Sequence, residues 1–320
     1  MDSVKVSIIM TTYNHARYVA QAIDSILLQE VGFQWELLIG DDDSTDATAE
    51  ILRKYASQYS DKIIPIIRKE NIGASRNFYD LLQRARGQYI AILEGDDLWI
   101  TSGKLQKQVE YLDTHLKIAA CVHEALLIDR MGNALPCQKL AWVKSRPYFR
   151  LKDYDGLQLP GHISSLLFRK NLLMSKNMDK LLLSHMQISD RTIFLALLTK
   201  GEIYCSSQVM SAYRILREGE DDNLTQTIYL SQRKNFFDEM ALFSNMSDWL
   251  WSECGISKSF AMAKCGVVLS ALWGRNRVTN DVPKYLLKLL KKSGCIGQIL
   301  LYVPIVALQK FFLRLIKIQR

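Results

Sequence analysis

The 320-residue chain lacks a glycine cradle for phosphates. It contains no G-x-x-x-x-G-K-[ST] run, which excludes a P-loop, and no G-x-G, which excludes the dinucleotide fingerprint. Six cysteines (Cys121, Cys137, Cys205, Cys254, Cys265, Cys295) are scattered without a C-x-x-C pair, and five histidines show no metal-ligand spacing. This argues against a disulfide framework or a zinc site and for reduced thiols in the cytosol. The opening "MDSVKVSIIMTTYN" has no basic segment followed by a signal-length apolar stretch, so no secretory signal is read. Internal repeats and low-complexity tracts are absent too. What remains, 48% hydrophobic and 23% charged, is the composition of one large α/β domain with an appendage.

The first hundred residues alternate strand and helix patterns. "VKVSIIM", "WELLIG", "KIIPIIR" and "QYIAIL" read as strands, the third pushed toward an edge by Pro65. Between them, Tyr18, Val19, Ala22, Ile23, Ile26 and Leu27 recur at helical spacing, with Asn14 as the expected N-cap. Ser44 is the expected N-cap of a second helix, and Gly87 the expected residue closing a third. The alternation predicts a mostly parallel sheet flanked by helices. Farther on, "AACVHEALLID" and "GHISSLLFR" read as strands, "DRTIFLALLTKG" as a helix begun by Asp190, and Ser206–Ile215 as extended.

Two acidic clusters, Asp41–Asp43 and Glu94–Asp97, directly follow strands. In parallel sheets ligands bind outside the carboxyl ends of strands, so both clusters are expected at one sheet edge. Like charges so close repel, and a hard divalent cation relieves them. Mn²⁺ or Mg²⁺ held by carboxylates and substrate phosphates fits, with a nucleoside diphosphate as the third party.

"VSIIMTTYNHARYVAQAIDSILLQ", "ELLIGDDDSTDAT", "NIGASRN" and "YIAILEGDDLWITSGKLQKQVEYLD" together resemble glycosyltransferase family 2 over about the first 115 residues. The resemblance implies a GT-A fold, a nucleotide-sugar donor, a divalent metal and inversion at the anomeric carbon. It puts Thr11 and Tyr13 at the nucleotide pocket, Asp42 on the uracil N–H and Arg76 near the nucleotide or diphosphate. It puts Asp96 on the ribose and Asp97 on the metal. Asp43 stands where the family often has Gly, Cys or Asn, so which of Asp41, Asp42 and Asp43 faces the base stays open.

Inverting transfer needs a carboxylate to take the acceptor's proton, and the resemblance implies Asp190 in that role. "LPGHISSLLFRK" resembles the segment bordering the acceptor, which makes His162, Ser164 and Ser165 acceptor candidates and leaves structural roles open for them. Arg214 could approach the diphosphate, while Glu218–Asp222 reads as a solvated loop.

Charge is uneven. From Cys254 onward there are twelve Lys/Arg and one acid, Asp281, for +11; the rest of the chain carries −3. Lys284, Lys288 and Lys291, then Lys310, Arg314 and Lys317, sit at helical spacing among apolar residues. The apolar run Ile296–Leu308 is shorter than the ~20 residues a spanning helix needs. An interfacial anchor on anionic lipid is the expectation, against a tail packed on the protein, and no nucleic-acid motif accompanies the charge. The expected division is a catalytic domain over 1–220, with a nucleotide-sugar half over 1–115 and an acceptor half over 116–220, then a helical basic region over 221–320. The expected function is transfer of a hexose, glucose or galactose, from a UDP-sugar to a lipid-linked (undecaprenyl diphosphate) sugar in O-antigen-type surface polysaccharide synthesis. The expected location is peripheral, at the cytoplasmic face of the membrane. The rival readings are a nucleotidyltransferase and a non-catalytic nucleotide-sugar-binding scaffold.

Overall fold

The structure, a computed structural model, describes residues 3–140, 147–186, 190–215 and 232–273. The basic tail and the Glu218–Asp222 loop lie outside the described residues.

Four strands form the first half of the sheet: β1 (Val6–Thr12), β2 (Trp35–Asp41), β3 (Ile63–Ile67) and β4 (Tyr89–Ile92). They pair in parallel in the order β3-β2-β1-β4, with Pro65 on the edge strand β3. β1 and β2 are buried almost throughout, which is why they read as continuous apolar runs. The crossovers are α1 (Val19–Leu27), α2 (Thr48–Gln58) and α3 (Ala74–Arg84). Val19, Ala22, Ile23 and Ile26 of α1 and Leu52 of α2 join β1, β2 and β4 in one core cluster.

Beyond β4 the sheet turns mixed. It continues through β5 (Leu98–Trp99), β6 (Ile118–Ile128), β7 (Ala134–Leu140), β8 (Tyr148–Phe149), β9 (Leu167–Arg169) and β10 (Glu202–Arg214). β9 runs antiparallel between β4 and β6, β10 is parallel to β6, and β5 is antiparallel to β10. Helices α4 (Lys104–Thr114), α5 (Met178–Leu182) and α6 (Asp190–Leu198) complete this part. Residues Met1–Tyr154 and Gln158–Asn223 form one compact unit. The second unit holds Asp155–Leu157 with α7 (Gln232–Cys254) and α8 (Ala261–Trp273). Within it Gly156, at φ +84°, leaves room that a Cβ would take from Phe243, 2.8 Å away.

Four local expectations change. Asn14 does not cap α1, which begins at Val19 after Tyr18; Asn14 sits at φ 56° and its side chain accepts the Thr45 N–H at 2.9 Å. Ser44 does not cap α2; Asp46 accepts the Thr48 N–H there, and Ser44 instead receives the Asn14 N–H. Gly87 does not close α3, whose C-cap is Ala85. Its role is close approach: a Cβ would lie 2.3 Å from the Ser7 nitrogen. "GHISSLLFR" also resolves into a 3₁₀ turn, Ile163–Ser165, before the short β9.

Candidate active site

The loops leaving β1 and β2 are stapled together. Besides the Asn14–Thr45 bond, the His15 N–H donates to Thr48 Oγ1 at 2.9 Å and the Ala16 N–H to Asp46 Oδ2 at 3.0 Å. Thr11, half-buried, and Tyr13 therefore stand at the carboxyl end of β1, beside the aspartates that follow β2. Those three aspartates differ sharply. Asp41 is buried and accepts from Thr12 and Ser44. Asp42 is buried, with its two oxygens accepting the Ile72 and Gly73 N–H groups at 2.9 Å each. Burial raises its carboxyl above the ordinary range, outweighing these two bonds. Asp43 is exposed at φ 65°. A base reaching Asp42 would use its remaining lone pairs. Arg76 is exposed on the first turn of α3, just past the Gly73 that Asp42 holds.

The second acidic cluster is a tight turn off β4. The Gly95 N–H donates to Thr11 O at 3.2 Å and the Asp97 N–H to Glu94 O at 3.0 Å. Only glycine fits at 95, where a Cβ would come within 2.6 Å of Thr12 Cγ2 and 2.8 Å of His15 Nδ1. The turn aims Asp97 inward and leaves Asp96 half-buried. Asp97 is 0% exposed; Ser164 Oγ donates to its Oδ2 at 2.5 Å and the Arg214 N–H to its Oδ1 at 3.1 Å. Burial, then the charge of Asp96, pushes Asp97 well above the usual carboxylate range.

His162 completes this corner. Its Nδ1 lies 3.4 Å from Asp97 Oδ2 and its Nε2 3.9 Å from Glu94 Oε2. Burial pushes His162 down to about 4, so the imidazole is neutral and keeps a lone pair at neutral pH. Ligand atoms of Glu94, Asp97 and His162 all lie within 4.8 Å of one another. Two carboxylates and a neutral imidazole suit Mn²⁺, so the residues present fit the metal. Asp190 opens α6, its Oδ1 accepting the Arg191 N–H at 2.7 Å. Removal from water, then the charges of Asp96, Asp97 and Asp190, raises Glu94 well above its ordinary value. Asp190 thus stands close enough for its charge to be felt in the cluster.

The structure redistributes several sequence candidates. Ser164 and Ser165 expose no surface: Ser164 holds Asp97, and Ser165 Oγ donates to the His162 carbonyl at 2.6 Å. They brace the turn rather than line an open surface. His162, an acceptor candidate in the sequence, lies with Glu94 and Asp97 in a cluster that could hold a metal ion. Arg214 does not extend toward an open site; it is 1% exposed, and its guanidinium donates to Asp96 O, Asp129 O, Arg130 O and Gln21 Oε1. The family resemblance assigns a metal role to Asp97 alone; Glu94 belongs to the same potential ligand cluster, and its place at the head of "EGDD" is the sequence signal for it.

Comparisons with known proteins agree with this geometry. Residues 7–173 match glycosyl transferase family 2. An uncharacterized protein of Mycobacterium tuberculosis is 44% identical over 126 residues, 39% of this chain and 36% of that protein. The minor teichoic acid biosynthesis protein GgaB of Bacillus subtilis is 37% identical over 112 residues, 34% of this chain and 12% of GgaB. The chain thus matches well under two thirds of either relative's length. Among solved structures, S. aureus TarS in complex with UDP-GlcNAc superposes with a TM-score of 0.53 at 15% identity, covering 83% of this chain and 80% of that one. The mannosyltransferase PcManGT of Pyrobaculum calidifontis, in complex with GDP-Man and Mn²⁺, gives 0.50 at 15% identity over 96% of this chain and 87% of its own. The fold is that of the GT-A glycosyltransferases, and the chain belongs to glycosyl transferase family 2.

Proposed function

We propose that this chain is an inverting, metal-dependent hexosyltransferase that moves a sugar from a UDP-sugar to a lipid-linked saccharide during assembly of a cell-surface polysaccharide. The observation that carries the reading is the Glu94–Asp97–His162 cluster, whose two carboxylates follow β4 at the sheet edge where β1 carries Thr11 and β2 leads into Asp42, and which feels the charge of Asp190. Glu94, Asp97 and His162 would hold the divalent cation, which when bound neutralises the leaving diphosphate. Asp190 would take the acceptor hydroxyl's proton as that oxygen attacks the anomeric carbon. Direct displacement from the face opposite the leaving group inverts the centre. Thr11, Tyr13 and Asp42 would hold the nucleoside, Asp96 the ribose and Arg76 the diphosphate.

The polysaccharide context is supported by GgaB, whose name places it in teichoic acid biosynthesis. TarS and PcManGT, each solved with a nucleotide-sugar, support the donor class. The lipid-linked acceptor and the anionic membrane surface are supported by the +11 charge from Cys254 onward. No helix among the described residues is long and apolar enough to cross a membrane. The test is incubation of purified protein with single labelled UDP-sugars, Mn²⁺ and a diphospholipid-linked sugar, with the anomeric configuration of the product read by NMR. Retention at the anomeric carbon, or pyrophosphate release from a nucleoside triphosphate instead of sugar transfer, would overturn the reading.

A further inference from the structure

We infer that Trp99 and Gln108 are positioning residues of the cation site: from behind, they fix the turn that carries His162 and Ser164 to Asp97. The inference rests on the cation reading proposed above. The 162–165 turn has two faces. Its front presents the His162 imidazole and the Ser164 hydroxyl, which donates to Asp97 Oδ2 at 2.5 Å and accepts the Glu94 N–H at 3.2 Å. One hydroxyl therefore sets the spacing of two carboxylate residues of the triad.

The back of the turn points its carbonyls into the core, where an unpaired carbonyl is costly. The indole N–H of Trp99 donates to Ser164 O at 2.9 Å. The amide of Gln108 donates to Ser165 O at 2.9 Å and to Cys121 O at 3.3 Å. Both donors are themselves immobilised. Trp99 is 4% exposed, its backbone N–H donates to Ser25 Oγ at 3.1 Å, and Lys104 Nζ lies 3.9 Å from its ring centroid. Gln108 is also 4% exposed, fixed on α4. The turn cannot shift His162 or Ser164 without giving up one of these bonds. Groups that orient metal ligands from the second layer typically contribute ~10–100-fold to metal affinity.

The experiment measures Mn²⁺ binding to the full chain by electron paramagnetic resonance, with UDP affinity in metal-free buffer and thermal melting alongside. The proteins are wild type, His162→Ala, Trp99→Phe and Gln108→Met. The expected result is Mn²⁺ binding that His162→Ala abolishes and that Trp99→Phe and Gln108→Met each weaken ~10–100-fold, with metal-free UDP affinity unchanged. Wild-type Mn²⁺ affinity in both variants, while His162→Ala still abolishes binding, would overturn the positioning roles and leave the cation reading intact. Mn²⁺ binding indifferent to His162→Ala would overturn the cation reading itself and this inference with it. Parallel loss of UDP affinity and melting temperature would mark Trp99 and Gln108 as general core residues, which also overturns it. Should Trp99→Phe fail to fold, Gln108→Met alone decides, since it keeps the side-chain length and a good helix former on α4.

Discussion

The backbone N–H of Arg214 donates to Asp97 at 3.1 Å while the same residue's guanidinium is committed to Gln21 and to the carbonyls of Asp96, Asp129 and Arg130. One buried side chain thus ties α1, the acidic turn, the β6–β7 connection and the end of β10 to each other. Its guanidinium also lies over the Tyr18 ring, with Cζ 4.6 Å from the ring centroid. Arg214→Met keeps most of the volume and strands these acceptors. It is expected to destabilise the protein by about 3 kcal/mol or more, the scale for unpairing several buried groups. Urea unfolding checks it; a loss under ~1 kcal/mol would mean that water replaces the guanidinium.

Asp190→Asn retains the size of the side chain and an oxygen for the Arg191 N–H but cannot take a proton. Transfer is expected to fall by ~10²–10⁴ with donor affinity retained. Single-turnover kinetics beside UDP-sugar titration separate the two quantities. A joint collapse would make Asp190 a donor ligand rather than a base.

Lys104 supplies a pH signature. Fully buried, its amine is pushed by desolvation from 10.5 down to about 7. Between those values the unfolded chain binds a proton that the folded chain lacks, so this lysine adds stability as pH rises from 7 toward 10.5. Below pH 7 the fold must hold a buried ammonium, relieved in part by the Trp99 ring. Lys104→Met is therefore expected to stabilise the protein most at pH 6, with the gain shrinking at pH 8 and shrinking further at pH 9.5. A gap independent of pH would show that the amine does not titrate in this range.

Removal of residues 282–320 tests the membrane reading. It is expected to abolish salt-sensitive binding to anionic vesicles and to slow transfer to a long-chain lipid acceptor, while a short soluble acceptor is used as before. Equal loss on both acceptors would assign the tail to the fold or to an assembly.

What the sequence made legible was local. β1 and β2 are continuous apolar runs because helices cover both faces, and the carboxylates of Asp42 and Asp97 follow such runs directly. Asn14 misled because its cap-like position serves a bond to Thr45, 31 residues away, instead of the next helix. Asp97 and Ser164 meet across 67 residues, and nothing in "GHISSLLFR" distinguishes a turn aimed at a carboxylate from the start of a strand. His162 has no neighbouring histidine or cysteine at ligand spacing, so its partnership with Glu94 exists only in three dimensions. Trp99 and Gln108 were hidden for the same reason, since their bonds go to backbone carbonyls, which carry no residue-specific signature.

The placement of β9 has a consequence for synthesis of the chain. β4 is buried along its whole length, yet its second edge is paired by Leu167–Arg169, with Tyr89 opposite Arg169 and Ala91 opposite Leu167. While the ribosome adds the residues between them, the parallel half can assemble but β4 keeps an open, apolar rim. Such a rim is a template for pairing with another nascent chain. The three residues that close it follow the His162 turn, so one short segment both seals that sheet edge and carries the histidine of the acidic corner.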